Sequence, residues 1–218
     1  MDKLRLVYTQ TGRARWISHL DAMRTLQRGL LRAGVPLRYS EGFNPHALIS
    51  IVMPLSVGTE SMCQMADIRV REDVDLSSLP ARLTAVMPEG LRFTGAYEDF
   101  DKPAELKWLD TEGLWEYDDA DPGETASRCR GLFSGSVIVT RRTKRGEGPF
   151  PVTEHIRDLT FIPEGKAVRV RVRVSASEPV VNPDLITAAV KQNAPELAPD
   201  SARFIRLALF KADGKPFR

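Results

Sequence analysis

The stretch Ser18–Pro36, SHLDAMRTLQRGLLRAGVP, decides how this chain is read. Ser18 and Asp21 stand in an S-x-x-D pattern, in which each side chain can satisfy a backbone N–H at a helix start. Leu20, Met23, Leu26, Leu30 and Leu31 then recur at helical spacing, and Gly34 with Pro36 ends the run. Ahead of the helix, MDKLRLVYTQ sets Leu4, Leu6 and Tyr8 against Lys3, Arg5 and Val7, the alternation of a half-buried strand. Beyond it, ALISIVMP and MADIRVR read as strands, SSLPARLTAVMPEG as a short helix stopped by Pro88 and Gly90, and LRFTGAYEDF as another strand. The order is βαββαβ, the ferredoxin-like pattern, whose crossovers lay helices on one face of an antiparallel sheet.

The same order returns in the second half. GLWEYDD is strand-like, GETASRCRGLF helical, and SVIVTRRT and AVRVRVRVS are strands. In NPDLITAAVKQNA, Asn182 stands at the N-cap, Pro183 at the first helical position and Pro195 beyond the end. ARFIRLALF closes the set. The expectation is an α+β chain of two tandem ferredoxin-like units with antiparallel sheets, at residues 1–100 and 113–212. The acidic segment Glu98–Trp115 joins them, and an insertion near 144–165 separates the middle strands of the second.

At 218 residues, 42% hydrophobic and 28% charged, the chain can bury an ordinary globular core. Nothing in it approaches the roughly 20 apolar residues of a membrane span. Its first residues lack a signal-peptide layout, and Cys63 and Cys129 lie far apart outside any C-x-x-C pair. A reduced, cytoplasmic setting without a membrane follows.

Net charge is only +2, but charge is segregated. Up to Ser40 there are eight Lys or Arg against two Asp. Arg24, Arg28 and Arg32 form a stripe along the first helix, with Arg13 and Arg15 before it and Arg38 after it. Arg169, Arg171 and Arg173 share one face of a strand whose other face is Val168, Val170, Val172 and Val174, and Arg141–Arg145 makes another basic tip. Glu98–Glu124, by contrast, holds eleven acids against two lysines. Each cluster alone is what a solvated face looks like. Together they favour a phosphate backbone, which guanidinium groups recognise bidentately, and so an RNA partner, transfer or ribosomal. No aromatic interleaves with Arg169, Arg171 and Arg173, which speaks against a stacking sheet of the RNA-recognition type and for a groove read by charge and shape.

The loop Ser40–Ser50, SEGFNPHALIS, is more elaborate than a turn requires. Gly42 frees the backbone, and Pro45 forces Asn44 towards extended geometry. The expectation is a ligand rim built from Tyr39, Ser40, Gly42, Phe43, Asn44 and Pro45, with Phe43 and His46 facing the start of the first helix. There His19, His46 and Arg15 would converge. Two imidazoles and a guanidinium suit acid–base chemistry on a phosphodiester, so a metal-independent ribonuclease using His19 and His46 is the alternative to a binding module. The plain reading of the same residues is a packed helix start and a capped strand. With Asp21 engaged in capping, His19, His46 and Glu41 are a poor zinc set, and neither metal nor cofactor is expected.

RARWISHLDAMRTLQRGLLRAGVPLRYSEGFNPHALISIVMPLSVGTES closely resembles the opening of the radical-SAM-linked, or radical-SAM-associated, family of uncharacterised bacterial proteins. The shared marks are the S-H-L-D helix start, the Arg-rich helix, G-F-N-P-H and the P-L-x-x-G turn. Ala47 and Leu48 depart from it, standing where Pro and a basic residue are usual, and Gln64 replaces an expected acid. In that family the domain often follows a radical-SAM domain in one polypeptide and elsewhere stands alone, and the expectation here is an accessory module presenting its substrate to a radical-SAM enzyme or ribonuclease acting in trans. Two distant cysteines cannot hold the iron–sulfur cluster that a radical-SAM enzyme carries on three closely spaced ones. Tandem ferredoxin-like units with basic surfaces are also similar in architecture to CRISPR repeat-processing endoribonucleases, a likeness of fold alone.

Overall fold

Alternation in the first ten residues builds β1 (Lys3–Gln10), with Leu4, Leu6 and Tyr8 buried. The computed structural model describes residues 2–143 and 146–218. It divides the chain into two units, one running to Pro103 with Arg218 added, the other Ala104–Phe217. The fold is mixed α+β, with mostly antiparallel sheet and, among the described residues, four α-helices.

In the first unit β1 is followed by α1 (His19–Arg32), β2 (Ile49–Ile51), β3 (Glu60–Arg69), α2 (Leu79–Val86) and β4 (Leu91–Tyr97). The strand order is β4-β1-β3-β2, each neighbouring pair antiparallel. Ser18 caps α1 as its spacing requires: Oγ accepts from the Asp21 N–H at 3.2 Å and donates to the Asp21 carboxylate at 2.8 Å. Leu26 and Leu30 of α1 and Leu79 and Leu83 of α2 close over Leu4, Leu6, Tyr8, Ala66, Ile68 and Phe93. Leu20 and Leu31, which the helical spacing assigned to the core, are exposed instead. The inward stripe of α1 is narrower, made of Ala22, Leu26, Gly29 and Leu30.

Arg5 is the unforeseen core residue. Expected on the solvated face, it is fully buried. Its Nε and Nη2 donate to the two carboxylate oxygens of Asp67 at 2.6 and 2.8 Å, and Nη1 donates to the Asp101 carbonyl at 2.9 Å. The Phe100 ring covers the guanidinium at 4.4 Å. The fork-to-fork pairing supplies the hydrogen bonds a buried charge requires.

The second unit contains β5 (Leu106–Glu116), α3 (Pro122–Leu132), β6 (Ile138–Thr143), β7 (Gly146–Pro151), β8 (Ile156–Glu164), β9 (Ala167–Ser175), α4 (Asp184–Asn193) and β10 (Ser201–Lys211). Its order is β10-β5-β9-β8, again antiparallel throughout, while β6 and β7 pair separately. Two details differ from the sequence reading. β5 begins at Leu106, inside the segment expected to be a join. The strand beside β9 is β8, which had been placed in the insertion near 144–165, whereas Ile138–Thr143 pairs with Gly146–Pro151. The cause is local. Glu164 and Ala167 face each other across Gly165-Lys166, with Gly165 at φ +59°, so a two-residue hairpin joins β8 to β9. Val168, Val170, Val172 and Val174 are buried, as their alternation predicts, and the Asn182 side chain accepts from the Asp184 N–H at 3.2 Å.

Gly90, at φ +90°, joins α2 to β4 and accepts from the Thr11 N–H at 2.9 Å. A Cβ there would lie 2.3 Å from the Thr11 carbonyl oxygen. Gly90→Ala is expected to cost about 1–3 kcal/mol, read as a lower urea midpoint with an unchanged slope. Asp75 accepts from the Ser77 N–H at 3.0 Å and its hydroxyl at 2.6 Å. These bonds, the Ser77 hydroxyl first, draw its pKa from the ordinary 3.8 to about 2. A carboxyl depressed by folding stabilises above its unfolded pKa and loses that contribution as pH falls through the folded one. Urea midpoints measured between about pH 4 and about pH 2 should therefore fall less in Asp75→Asn than in the wild type.

Candidate nucleic-acid interface

With its apolar side turned inward, α1 leaves Arg24, Arg28 and Arg32 exposed. Spacing by four puts successive guanidinium groups about one turn, ~6 Å, apart. Arg24 meets Asp21 at 3.3 Å in a solvent-exposed pair, and Arg32 donates to the Val86 carbonyl at 2.9 Å. Arg28, and Arg13 ahead of the helix, are exposed and have no partner among the described residues. Arg15 lies 3.7 Å from Glu60 and 4.9 Å from the centre of the Trp16 ring, and Arg38 pairs with Asp2 at 3.2 Å.

The SEGFNPHALIS loop is clamped at its base. The Ser40 N–H donates to the His46 carbonyl at 2.9 Å, the His46 N–H donates to Ser40 Oγ at 3.1 Å, and Tyr39 bridges Ala47. Ser40 Oγ also lies 2.9 Å from His46 Nδ1. Gly42 takes φ +118°, Glu41–His46 are all exposed, and Phe43 holds its whole ring in solvent at 112% relative exposure.

His19 and His46 do not converge. Leu4 of β1 and Ile49 of β2 both stand opposite Ile68, so β1 and β2 run parallel, and the loop entering β2 lies at the β1 start. His19 opens α1 beyond the other end of β1, where Gln10 faces Ser61. Six strand residues at ~3.3 Å each separate those ends, about 20 Å. The 14 residues of α1 span about the same distance. The expectation that His46 and Phe43 face the start of the first helix, beside His19 and Arg15, is therefore corrected: a crossover helix must run back the full length of the sheet. One phosphate cannot reach both imidazoles.

In the second unit the arginine face is neutralised from within. Asp110 and Glu112 of β5 stand directly across from Arg173 and Arg171 of β9. Arg173 holds Asp110 at 2.6 and 3.0 Å, and Arg171 reaches Glu112 at 2.8 Å. Arg169 pairs with Glu112 and, at 2.6 and 2.7 Å, with Glu164. The Arg169 bonds hold the Glu164 carboxyl below the usual carboxylate range. These arginines, expected as RNA contacts, form a cross-strand lattice with the acidic segment. Within the basic tip, Arg141 donates to the Val180 carbonyl at 2.8 Å, while Lys144 and Arg145 lie outside the described residues. Among the described residues no group of three or more His, Cys, Asp or Glu gathers as for a metal ion, and no helix is long and apolar enough to cross a membrane.

One aromatic escaped the sequence reading. Trp16 is 61% exposed, although its ring rests on Gly58, where an added Cβ would lie 3.1 Å from Cζ3. The available signal was a large aromatic between RAR and the helix cap, where no core residue is needed.

Glu112 serves two arginines at once, so Glu112→Gln should destabilise the second unit by about 1–2 kcal/mol, between the exposed and buried limits for ion pairs. Urea denaturation at low and high salt checks this, and the difference should shrink at high salt.

The profile of a family described as "uncharacterized protein conserved in bacteria" (DUF2344) matches residues 3–183. No curated protein matches the chain. The matched region runs from β1 through β9 and takes in the α1 arginines, the clamped loop and the ion-pair lattice alike. A match of that extent identifies the relationship: the chain belongs to the DUF2344 family of bacterial proteins.

Proposed function

We propose that the chain is a cytoplasmic RNA-binding accessory module, built of two ferredoxin-like units, that presents transfer or ribosomal RNA to a radical-SAM or RNA-processing enzyme acting in trans. The antiparallel orders β4-β1-β3-β2 and β10-β5-β9-β8, each with two helices, support the ferredoxin-like reading. The radical-SAM partner rests on the resemblance carried by Arg13–Ser61.

The observation that carries RNA binding is the contrast between the two arginine sets. Arg169, Arg171 and Arg173 are consumed by Asp110, Glu112 and Glu164, whereas along and ahead of one helix Arg13 and Arg28 have no partner among the described residues and Arg24 holds only a solvent-exposed pair with Asp21. A row of guanidinium groups one turn apart suits a phosphate backbone. A binding module is preferred to a ribonuclease because His19 and His46 stand at opposite ends of the sheet.

Filter binding of purified protein to transfer and ribosomal RNA tests the reading. Affinity should fall steeply with added salt, and Arg28→Gln should flatten the log–log slope by about 0.7–0.9, one phosphate contact. Retention of neither RNA at low salt would rule the function out, and an unchanged slope would remove α1 from the interface.

A further inference from the structure

Two aromatic rings of the first unit lie outside its core, Phe43 fully exposed and Trp16 61% exposed between Gly58 and the Arg15 guanidinium. Phe43 caps a five-residue loop, Glu41–Pro45, closed below by the Tyr39–Ala47 bridge and the bonds between Ser40 and His46. The ring takes part in none of these contacts and adds nothing to the core. Trp16 is seated on the Gly58 backbone, which is fixed by a 2.8 Å bond from the Gly58 N–H to the Arg15 carbonyl. An exposed Phe or Trp by itself needs no explanation. These two bracket the arginine row: Trp16 stands just ahead of the α1 cap, and Phe43 belongs to the loop at the end where α1 finishes.

We propose that this face takes single-stranded RNA, with unpaired bases stacking on Phe43 and Trp16 while the backbone follows Arg24 and Arg28 along α1. The proposal rests on the RNA-binding reading above and narrows its ligand. Base faces inside a duplex are already stacked and cannot reach a ring, whereas an unpaired strand offers a base face and a phosphate at every step. Cationic side chains with interspersed rings form the usual platform for single strands, and its sequence tolerance follows because every base has a π-face. No aromatic interleaves with Arg169, Arg171 and Arg173 along β9, whereas Trp16 and Phe43 flank the α1 arginines.

Fluorescence anisotropy with a labelled single-stranded oligoadenylate and a blunt RNA duplex of equal length tests this. Phe43 touches no core residue, so Phe43→Ala should fold as the wild type does. Its single-strand affinity should drop at least about fivefold, the lower bound for one stacked base, with the duplex affinity and salt slope unchanged. Trp16→Leu, which keeps an apolar group on Gly58, should act in the same direction. Arg28→Gln should weaken both ligands and flatten both slopes. Wild-type preference for the duplex, or an unchanged or equal loss for both ligands in Phe43→Ala, would overturn stacking while the Arg28→Gln result still supports binding. Wild-type binding to neither RNA would instead sink the RNA reading, and this inference with it.

Discussion

The constraint on which the first unit depends is the antiparallel β3 lying between β1 and β2. Both outer strands pair with it in opposite sense, so they are parallel to each other, and the chain leaving β1 must travel the sheet's full length before entering β2. α1 is that return path, and its 14 residues match the strand it retraces. The candidate residues of this unit take their places from that geometry: Trp16 and His19 at one end, Phe43 and His46 at the other, and the arginines strung between.

Burial decides what those arginines are free to do. Arg5 lies in the first strand, three residues from Tyr8, yet it is wholly enclosed by Asp67, Phe100 and the Asp101 carbonyl. Arg171 and Arg173 stay nearer the solvent but meet Glu112 and Asp110 in cross-strand register, bidentately at Arg173, while Arg169 reaches Glu112 diagonally and Glu164 on β8. On α1 the neighbours at three and four residues are mostly not acids, so the same side chain remains available to a ligand. Identical residue types thus become a core clasp, a strand lattice and a solvent-facing row, according to what the backbone places beside them.

Much of the secondary structure was legible because its causes are local. Ser18 and Asp21 set the start of α1 through bonds spanning three residues, and the Arg–Val alternation of β9 needs only the pleat of a strand. β8 was missed because its partner is chosen by the Gly165-Lys166 hairpin, while Ile138–Thr143 looks equally strand-like and pairs elsewhere. Leu20 and Leu31 fit the helical period but fall outside the part of α1 that meets α2 and the sheet. Periodicity marks an apolar stripe without saying how wide its contact will be.

By itself, the sequence determined all four α-helices and most of the strands, where α1 starts, that charge is segregated, and that the Ser40–Ser50 loop is more than a turn. Each follows from interactions between residues close along the chain. The tertiary structure alone decided that Asp110 and Glu112 neutralise arginines about 60 positions away, that Arg5 is enclosed, and that His19 and His46 stand a helix length apart. Those outcomes depend on strand order and register, which are set when distant segments close on one another, and no local pattern encodes the distance between two residues on opposite sides of a crossover.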